Sequence, residues 1–189
     1  MKLRTIISAA ALTLFAIPSF AQSYKIESGH TYPSFEADHM GISFWRGKFT
    51  KTEGNVTLDR AAKTGTMNIT IDANTIDFGH AKMNDHAKSK DMFNVEKFPS
   101  MTYKGTSMKF DGDNLVSVEG ELTMMGVTKP VALKVNKFKC IMHPMLKREV
   151  CGADASATFN RADFGLTYGM NYGFSPEVKL AIQVEAIKE

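Results

Sequence analysis

The chain has 189 residues, 43% of them hydrophobic, and its 23 Lys and Arg residues nearly balance its 20 Asp and Glu residues. This length suits a single domain with a sizeable core, and the even charge lacks the concentrated basic excess of nucleic-acid-binding proteins. The sequence also lacks a nucleophile elbow, a His-Glu-x-x-His helix, a Cys-x-x-Cys pair and a phosphate-binding glycine loop. These features favour a binding or structural protein over an enzyme.

The first 21 residues are typical of a secretory signal peptide. Lys2 and Arg4 give a positive start, residues 6–17 are almost entirely apolar, and Ser19 and Ala21 place small residues at the two positions that signal peptidase reads. The apolar run is too short for a transmembrane helix, which needs about 20 residues, although a retained anchor is the alternative. We expect cleavage after Ala21, export to a Gram-negative periplasm, and a mature domain over residues 22–189.

Alternating apolar and polar residues after the signal peptide predict β-strands. The clearest run is 178–186, and similar alternation occurs at 66–72 and 131–136. Val116, Val118 and Leu122 are expected to share one face in the same way. Turn residues at 111–114 and 63–65 separate these runs at hairpin distances. We predict an all-β fold, an extended antiparallel barrel of about eight strands, because closure hides the strand edges.

One segment interrupts the β-pattern. Residues 80–90 contain good helix formers and no β-branched residue, which predicts one or two helical turns before a strand begins near Met101. A barrel of this size is either filled by side chains or holds one small ligand. The 12 methionines and 13 phenylalanines suit an adaptable wall around an apolar ligand, but an ordinary Met-rich core explains them equally well.

Cys140 and Cys151 are the only cysteines in the sequence. In an oxidising compartment a pair this close in sequence most simply forms one disulfide, and the short loop predicts about 3 kcal/mol of stabilisation. Met142, His143 and Met145 lie between the two cysteines. Thioether and imidazole groups are soft ligands, so a Cu(I) or redox site is the alternative.

Several ordered motifs resemble the YceI-like polyisoprenoid-binding family. They cover nearly the whole mature chain and include the opening Tyr24-Lys25-Ile26-Glu27, the run Gly120-Glu121-Leu122-Thr123-Met124-Met125-Gly126-Val127-Thr128-Lys129-Pro130-Val131, and Asn160-Arg161-Ala162-Asp163-Phe164-Gly165-Leu166. The resemblance implies a lipocalin-like barrel whose apolar tunnel holds a polyprenyl chain or another long amphiphile. No catalytic cofactor is implied.

The same resemblance suggests a ligand and partners. The branch with a Cys-Cys hairpin favours ubiquinone, and a membrane b-type cytochrome or the membrane surface is the implied partner. A homodimer is left open. The alternatives are a filled-barrel scaffold without lipid and a binder of fatty-acid or amide amphiphiles.

Candidate site residues fall into two groups. We expect His30, Asn84 and His86 to contact the headgroup at the mouth. The expected tunnel residues are apolar positions along the strands: Phe35, Phe49, Ile69, Ile71, Phe93, Met101, Val118, Leu133, Phe164 and Ile182.

Other polar residues are assigned structural roles. We expect Arg161 and Asp163 to pair at a strand entrance, and His39 and His80 to be surface or packing residues. Where the family tends to have an Arg-Asp pair before the helix histidine, this chain has Met83-Asn84. Loss of that charge favours a neutral quinone or amide over a pyrophosphate.

Overall fold

The computed structural model describes residues 21–189, so the predicted signal peptide lies outside the described residues apart from Ala21. These residues form one twelve-stranded antiparallel sheet and one α-helix, α1. None of the helices among them is long and apolar enough to cross a membrane. The elements are β1 (Gln22–Ile26), β2 (Tyr32–His39), β3 (Ser43–Phe49), β4 (Thr52–Asp59), β5 (Thr64–Asp72), β6 (Ile76–Asp77), α1 (Ala81–Lys88), β7 (Ser100–Asp111), β8 (Asn114–Met124), β9 (Val127–Pro130), β10 (Leu133–Met142), β11 (Glu149–Asn160) and β12 (Glu177–Lys188).

Eight of the strands close into a barrel. Their order is β1-β4-β5-β7-β8-β10-β11-β12, and β12 pairs back onto β1 with Ala186 opposite Ile26. The predicted lipocalin-like antiparallel barrel with one short helix is confirmed. We call the end with the β4–β5, β7–β8 and β10–β11 hairpins the lower end, and the end with α1 and the β2–β3 hairpin the upper end.

The last strand is shared between two neighbours. Val178 to Gln183 pair with β2, whereas Ala186 to Lys188 pair with β1. The chain bends between β1 and β2, and the Thr31 hydroxyl accepts the Glu185 N–H at 3.1 Å and donates to the Glu185 carbonyl at 3.2 Å. Buried backbone groups need such partners. Above the bend, the sheet continues from β12 through β2 and β3 to β6. These strands extend one side of the barrel beyond the other side.

The predicted helical turns correspond to α1. His80 caps the helix, because its Nδ1 accepts the Met83 N–H at 3.2 Å. Met83, His86 and Ala87 are spaced three and four residues apart, so they share one face of the helix. Ala87 on this face is fully buried, whereas Ala81, Lys82 and Asp85 are exposed.

One predicted face is wrong. Val118 and Leu122 are buried, but Val116 is 38% exposed and Leu115 takes the buried position instead. The cause is a change of register between β7 and β8, where Ser117 opposes Lys109 but Leu115 opposes Phe110. Val116 is the extra residue of this bulge, and a bulge shifts the alternation of the strand.

The predicted disulfide is confirmed. Cys140 on β10 and Cys151 on β11 are directly opposite each other, and their sulfurs are bonded at 2.02 Å. The bond closes the hairpin at the lower end of the barrel. Both cysteines pack against the hydrophobic core.

Candidate functional site: a cavity along the barrel

A cavity of about 450 Å³ runs through the barrel. At the lower end it is bounded by Leu58, Leu115 and Ala186, each at most 6% exposed. At the upper end it reaches Tyr168, which is 41% exposed, and the partly exposed Trp45. The cavity is therefore closed below and open above, as a site for a long apolar guest requires.

Most of the predicted tunnel residues line this cavity. They are Phe35, Phe49, Ile69, Ile71, Phe93, Met101, Val118, Leu133 and Ile182. Phe164 is the exception. Its ring packs edge-on against Phe159 at a centroid distance of 5.4 Å, and Phe159 rather than Phe164 forms the wall. Phe164 lies in a 3₁₀ turn after β11, where the alternation that predicts inward positions no longer applies. Contact of these residues with a ligand stays a prediction.

A polar cluster seals the lower end. The Tyr24 hydroxyl donates to Glu149 Oε1 at 2.5 Å, and Arg60 Nη2 donates to Glu149 Oε2 at 2.8 Å. Burial, reinforced by the hydrogen bond and the negative charge of Glu149, raises the pKa of Tyr24 to about 12. The cluster ties β1 and the loop after β4 to the start of β11.

Aromatic side chains build the upper part of the wall. Phe78 stands edge-on to Phe35 at 5.5 Å and to Trp45 at 5.8 Å between ring centroids. Gly47 makes this packing possible, since a Cβ there would lie 2.7 Å from the tip of the Phe35 ring. From α1, Met83 and His86 complete the wall, and the His86 ring contacts Tyr168 at 4.7 Å.

Of the three predicted headgroup residues, only His86 lines the cavity. His30 lies in an exposed turn outside it, with Nδ1 2.6 Å from Glu27 Oε2. Hydrogen bonds from the Gly29 N–H and from His30 outweigh the effect of burial and lower the pKa of Glu27. His30 therefore belongs to an outer turn and does not line the cavity.

Asn84 is likewise engaged in the structure. Its Oδ1 accepts the Phe78 N–H at 2.7 Å, and its Nδ2 donates to Asp77 Oδ1 at 3.0 Å. The Gly79 N–H and the Asn84 amide hold the pKa of the Asp77 carboxyl below its usual value. Asn84 thus anchors α1 to β6 instead of facing the cavity.

Arg161 has a different partner from the one predicted. Its Nη1 donates to the Leu166 carbonyl at 2.8 Å and its Nε to the Ser175 carbonyl at 3.4 Å. Among the described residues no ion pair with Asp163 is seen, so the predicted pairing is wrong. Arg161 is only 7% exposed and lines the cavity, and burial lowers its pKa.

Several wall residues were missed, although the alternation contains the signal for them. Trp45, Gly47 and Phe49 are two residues apart on β3, so Trp45 shares the face of a predicted tunnel residue. His39 likewise follows Phe35 at even spacing on β2, and it lines the cavity beside Phe174.

The soft-ligand alternative at the hairpin tip has little geometric support. Both thiols are used by the disulfide. His143 Nδ1 accepts the N–H groups of Met145 at 3.3 Å and Leu146 at 3.2 Å, so in the neutral ring the proton lies on Nε2. The histidine therefore closes its own turn.

Comparison with known proteins agrees with this architecture. The model of the YceI-like domain matches residues 24–186. The chain belongs to the YceI-like family. The proteins named YceI of Salmonella arizonae and Salmonella paratyphi B are each 34% identical to this chain over 183 residues, which cover 95% of this chain and 94% of theirs.

Solved structures share the fold of this YceI-like chain. BcnA of Burkholderia cenocepacia superposes with a TM-score of 0.69 at 22% identity, covering 85% of this chain and 98% of BcnA. A polyisoprenoid binding domain from Saccharophagus degradans, implicated in plant cell wall breakdown, gives a TM-score of 0.65 at 15% identity and covers 89% of this chain and 99% of that domain. The Campylobacter jejuni YceI protein gives a TM-score of 0.67 at 23% identity and covers 80% of this chain and 90% of that protein.

Proposed function

We propose that this protein is a periplasmic carrier that holds one long isoprenoid lipid, of the ubiquinone type, in the barrel cavity. The observation that carries the proposal is the apolar cavity, closed below and open above, with a volume of about 450 Å³. Methionine and phenylalanine side chains in its wall suit a flexible apolar guest. The Saccharophagus degradans neighbour, named as a polyisoprenoid binding domain, supports the same class of ligand.

The cavity weighs against the filled-barrel alternative. A scaffold barrel of eight strands has an interior that its own side chains fill. Here the inward residues leave a continuous space instead. Burial contributes about 0.8 kcal/mol per methylene-sized group, so one five-carbon isoprene unit supplies about 4 kcal/mol before the entropy costs of binding.

The cavity face of α1 favours a neutral ligand. Met83 lines the cavity at the position where the family tends to have an arginine. A thioether offers no charge for a pyrophosphate, whereas a quinone loses nothing by its absence.

The upper rim supports uptake from a membrane. Its exposed apolar side chains are Met40, Ile42, Phe44, Tyr168, Met170 and Tyr172. Apolar residues gathered around the opening of a lipid cavity suit contact with a bilayer, and Lys82 on the exposed face of α1 suits anionic headgroups. A membrane b-type cytochrome is proposed as a further partner on the family resemblance alone.

The deciding experiment is an organic extract of protein purified from its own cells, read by mass spectrometry and by quinone absorbance before and after borohydride. We expect a prenylated species near one per protein. The sole tryptophan, Trp45, lies in the wall and reports uptake of added quinones through fluorescence quenching. An extract that contains no lipid, together with no uptake of added quinones or polyprenyl phosphates, would favour the scaffold protein without a lipid over the carrier.

One observation favours a second ligand class. The guanidinium of Arg161 lies in the wall near the upper end and suits an anionic amphiphile such as a fatty acid or a polyprenyl phosphate. Affinity for a quinone is expected to rise with tail length and to change little between low and high salt. A strong fall with salt would favour the anionic ligand.

A further inference from the structure

The tip of the β10–β11 hairpin, residues 141–148, carries a group of exposed apolar side chains at the lower end of the barrel. They are Ile141, Met142, Met145 and Leu146. Met142 is 68% exposed and Met145 81% exposed, and none of the four lines the cavity. Exposed apolar side chains gathered in one place mark an interaction surface.

The hairpin tip extends past its neighbours in the sheet. On one side of the hairpin, the pairing of β11 with β12 ends where Val150 lies opposite Ile187. On the other side, β10 pairs with β8 only at Leu133 and Lys134. In the described part of the chain, residues 141–148 therefore pair with no strand outside their own hairpin, and a large partner can approach the tip.

Several bonds hold the hairpin tip in one shape. The His143 N–H donates to the Arg148 carbonyl at 2.9 Å, and the Arg148 guanidinium donates to the Lys188 carbonyl on β12. The Cys140–Cys151 disulfide closes the hairpin beside the tip. A surface that already has its binding shape loses less entropy when it meets a partner. The exposed apolar side chains are therefore held ready for contact.

Basic side chains accompany the apolar ones. Residues 137–148 contain no acidic residue. Their basic side chains are all exposed and form no ion pair among the described residues: Lys137, Lys139, Lys147 and Arg148. Glu149, the next residue along the chain, is already bonded to Tyr24 and Arg60. The hairpin tip thus combines apolar side chains with positive charge that has no acidic partner.

We infer that the hairpin tip binds the surface of an anionic bilayer, with its apolar side chains in the headgroup region and its basic side chains beside the phosphates. Binding of this kind grows with the buried apolar area and with the attraction to anionic lipids. A bilayer can receive a projecting tip anywhere on its surface, whereas a protein would need a matching groove. The cavity opens at the other end of the barrel, so a molecule bound by its tip presents the opening away from that bilayer. This surface is separate from the cavity and serves attachment, a second function beside the proposed one.

The test places a fluorescent reporter at the hairpin tip. Trp45 is the sole tryptophan of the chain, so Trp45→Phe gives a background in which Met145→Trp is the only reporter. The matched control is Thr102→Trp in the same background, at an exposed position on the outer wall of β7. One set of vesicles contains equal parts of phosphatidylethanolamine and phosphatidylglycerol, and the other contains phosphatidylcholine alone. Both carry brominated acyl chains, which quench a tryptophan that enters the bilayer.

The anionic vesicles are expected to quench the tryptophan at the tip and to leave the control tryptophan unquenched, and phosphatidylcholine vesicles should quench neither. In the reporter protein, Lys139→Gln combined with Lys147→Gln should weaken binding to anionic vesicles roughly thirtyfold, the usual effect of two basic residues near an anionic surface. Lys104→Gln combined with Lys129→Gln makes the same change of charge on the outer wall, away from the tip, and should leave the affinity nearly unchanged.

Absence of quenching at the tip, or equal quenching of the tip and control tryptophans, would overturn the inference. Equal loss of affinity in the two double-lysine variants would also overturn it, because net charge and not the tip would then set binding. Retention on native membranes without binding to either set of vesicles would point to a membrane protein as the partner, against a bilayer. Each of these outcomes leaves the carrier function standing, whereas a quenched tip on a barrel that takes up no lipid would support attachment and contradict the carrier.

Discussion

Ile182 on β12 and Ile69 on β5 both line the cavity. A lysine at either position would place an unpaired charge in an apolar wall, which is expensive. We expect each substitution to expel the lipid or to cost about 3 kcal/mol or more of unfolding free energy. Thermal melting and extraction of lipid test this, and Ala181→Lys on the outer face of β12 is the control. Normal lipid content and stability in both inward variants would contradict the assignment of the wall.

His86 is the predicted headgroup residue that the structure places at the cavity. If its ring bonds a ligand oxygen near the opening, His86→Ala should weaken binding by about 1 kcal/mol, roughly fivefold. His30→Ala, in the exposed turn outside the cavity, should leave affinity unchanged. Complete loss of binding in a folded His86→Ala protein would mean that the headgroup dominates affinity, contrary to the proposal.

At the scale of single residues, alternation predicted apolar wall positions better than polar ones. Ile182 and Ile69 follow from a period of two within one strand. The position of Asn84 depends on Phe78 and Asp77, and that of Arg161 on the backbone of Leu166 and Ser175. Such contacts depend on how loops fold back in three dimensions, which strand periodicity does not contain.

At the scale of elements, the Cys140–Cys151 bond joins β10 to β11. Replacing both cysteines with serine should lower the unfolding free energy by about 3 kcal/mol, because the unfolded chain regains the entropy of the closed loop. Lipid should stay bound, since the bond lies at the closed lower end. Melting curves and extracted lipid measure the two effects. Loss of lipid at a temperature where the variant is fully folded would show that the hairpin shapes the cavity.

The strand runs and α1 were predictable because each depends on local sequence. The predicted helical turns fall on Ala81–Lys88, and the strand expected near Met101 begins at Ser100. The pairing of β12 with β2 along its first part and with β1 at its end was not predictable. It depends on Thr31 meeting Glu185, 154 residues later in the chain. The bulge at Val116 was missed for a related reason, because register is set by the partner strand.

At the scale of the whole molecule, stability at high pH should depend on Tyr24. Its pKa is raised from 10.0 to about 12, so the native state keeps a proton that the unfolded chain loses first. The resulting stabilisation is full below pH 10 and is lost as the pH rises towards 12. Denaturant unfolding between pH 9 and 12 measures how the unfolding free energy falls with rising pH. We expect this fall to be shallower for Tyr24→Phe than for the parent protein, and Tyr172→Phe, at an exposed tyrosine, is the control. Equal slopes would contradict the prediction.

The pairing of β12 with both β1 and β2 has a consequence for the order of events in the cell. Synthesis delivers a chain from its N-terminus, so the first strands appear long before residues 177–188, which they need as neighbours. Contacts between the two ends of a sequence are slow to form. Until the final strand arrives, the barrel has an open seam and no enclosed space. The enclosed cavity of a newly made molecule can therefore form only after residues 177–188 have emerged, and binding of the proposed lipid would be the last step of its maturation.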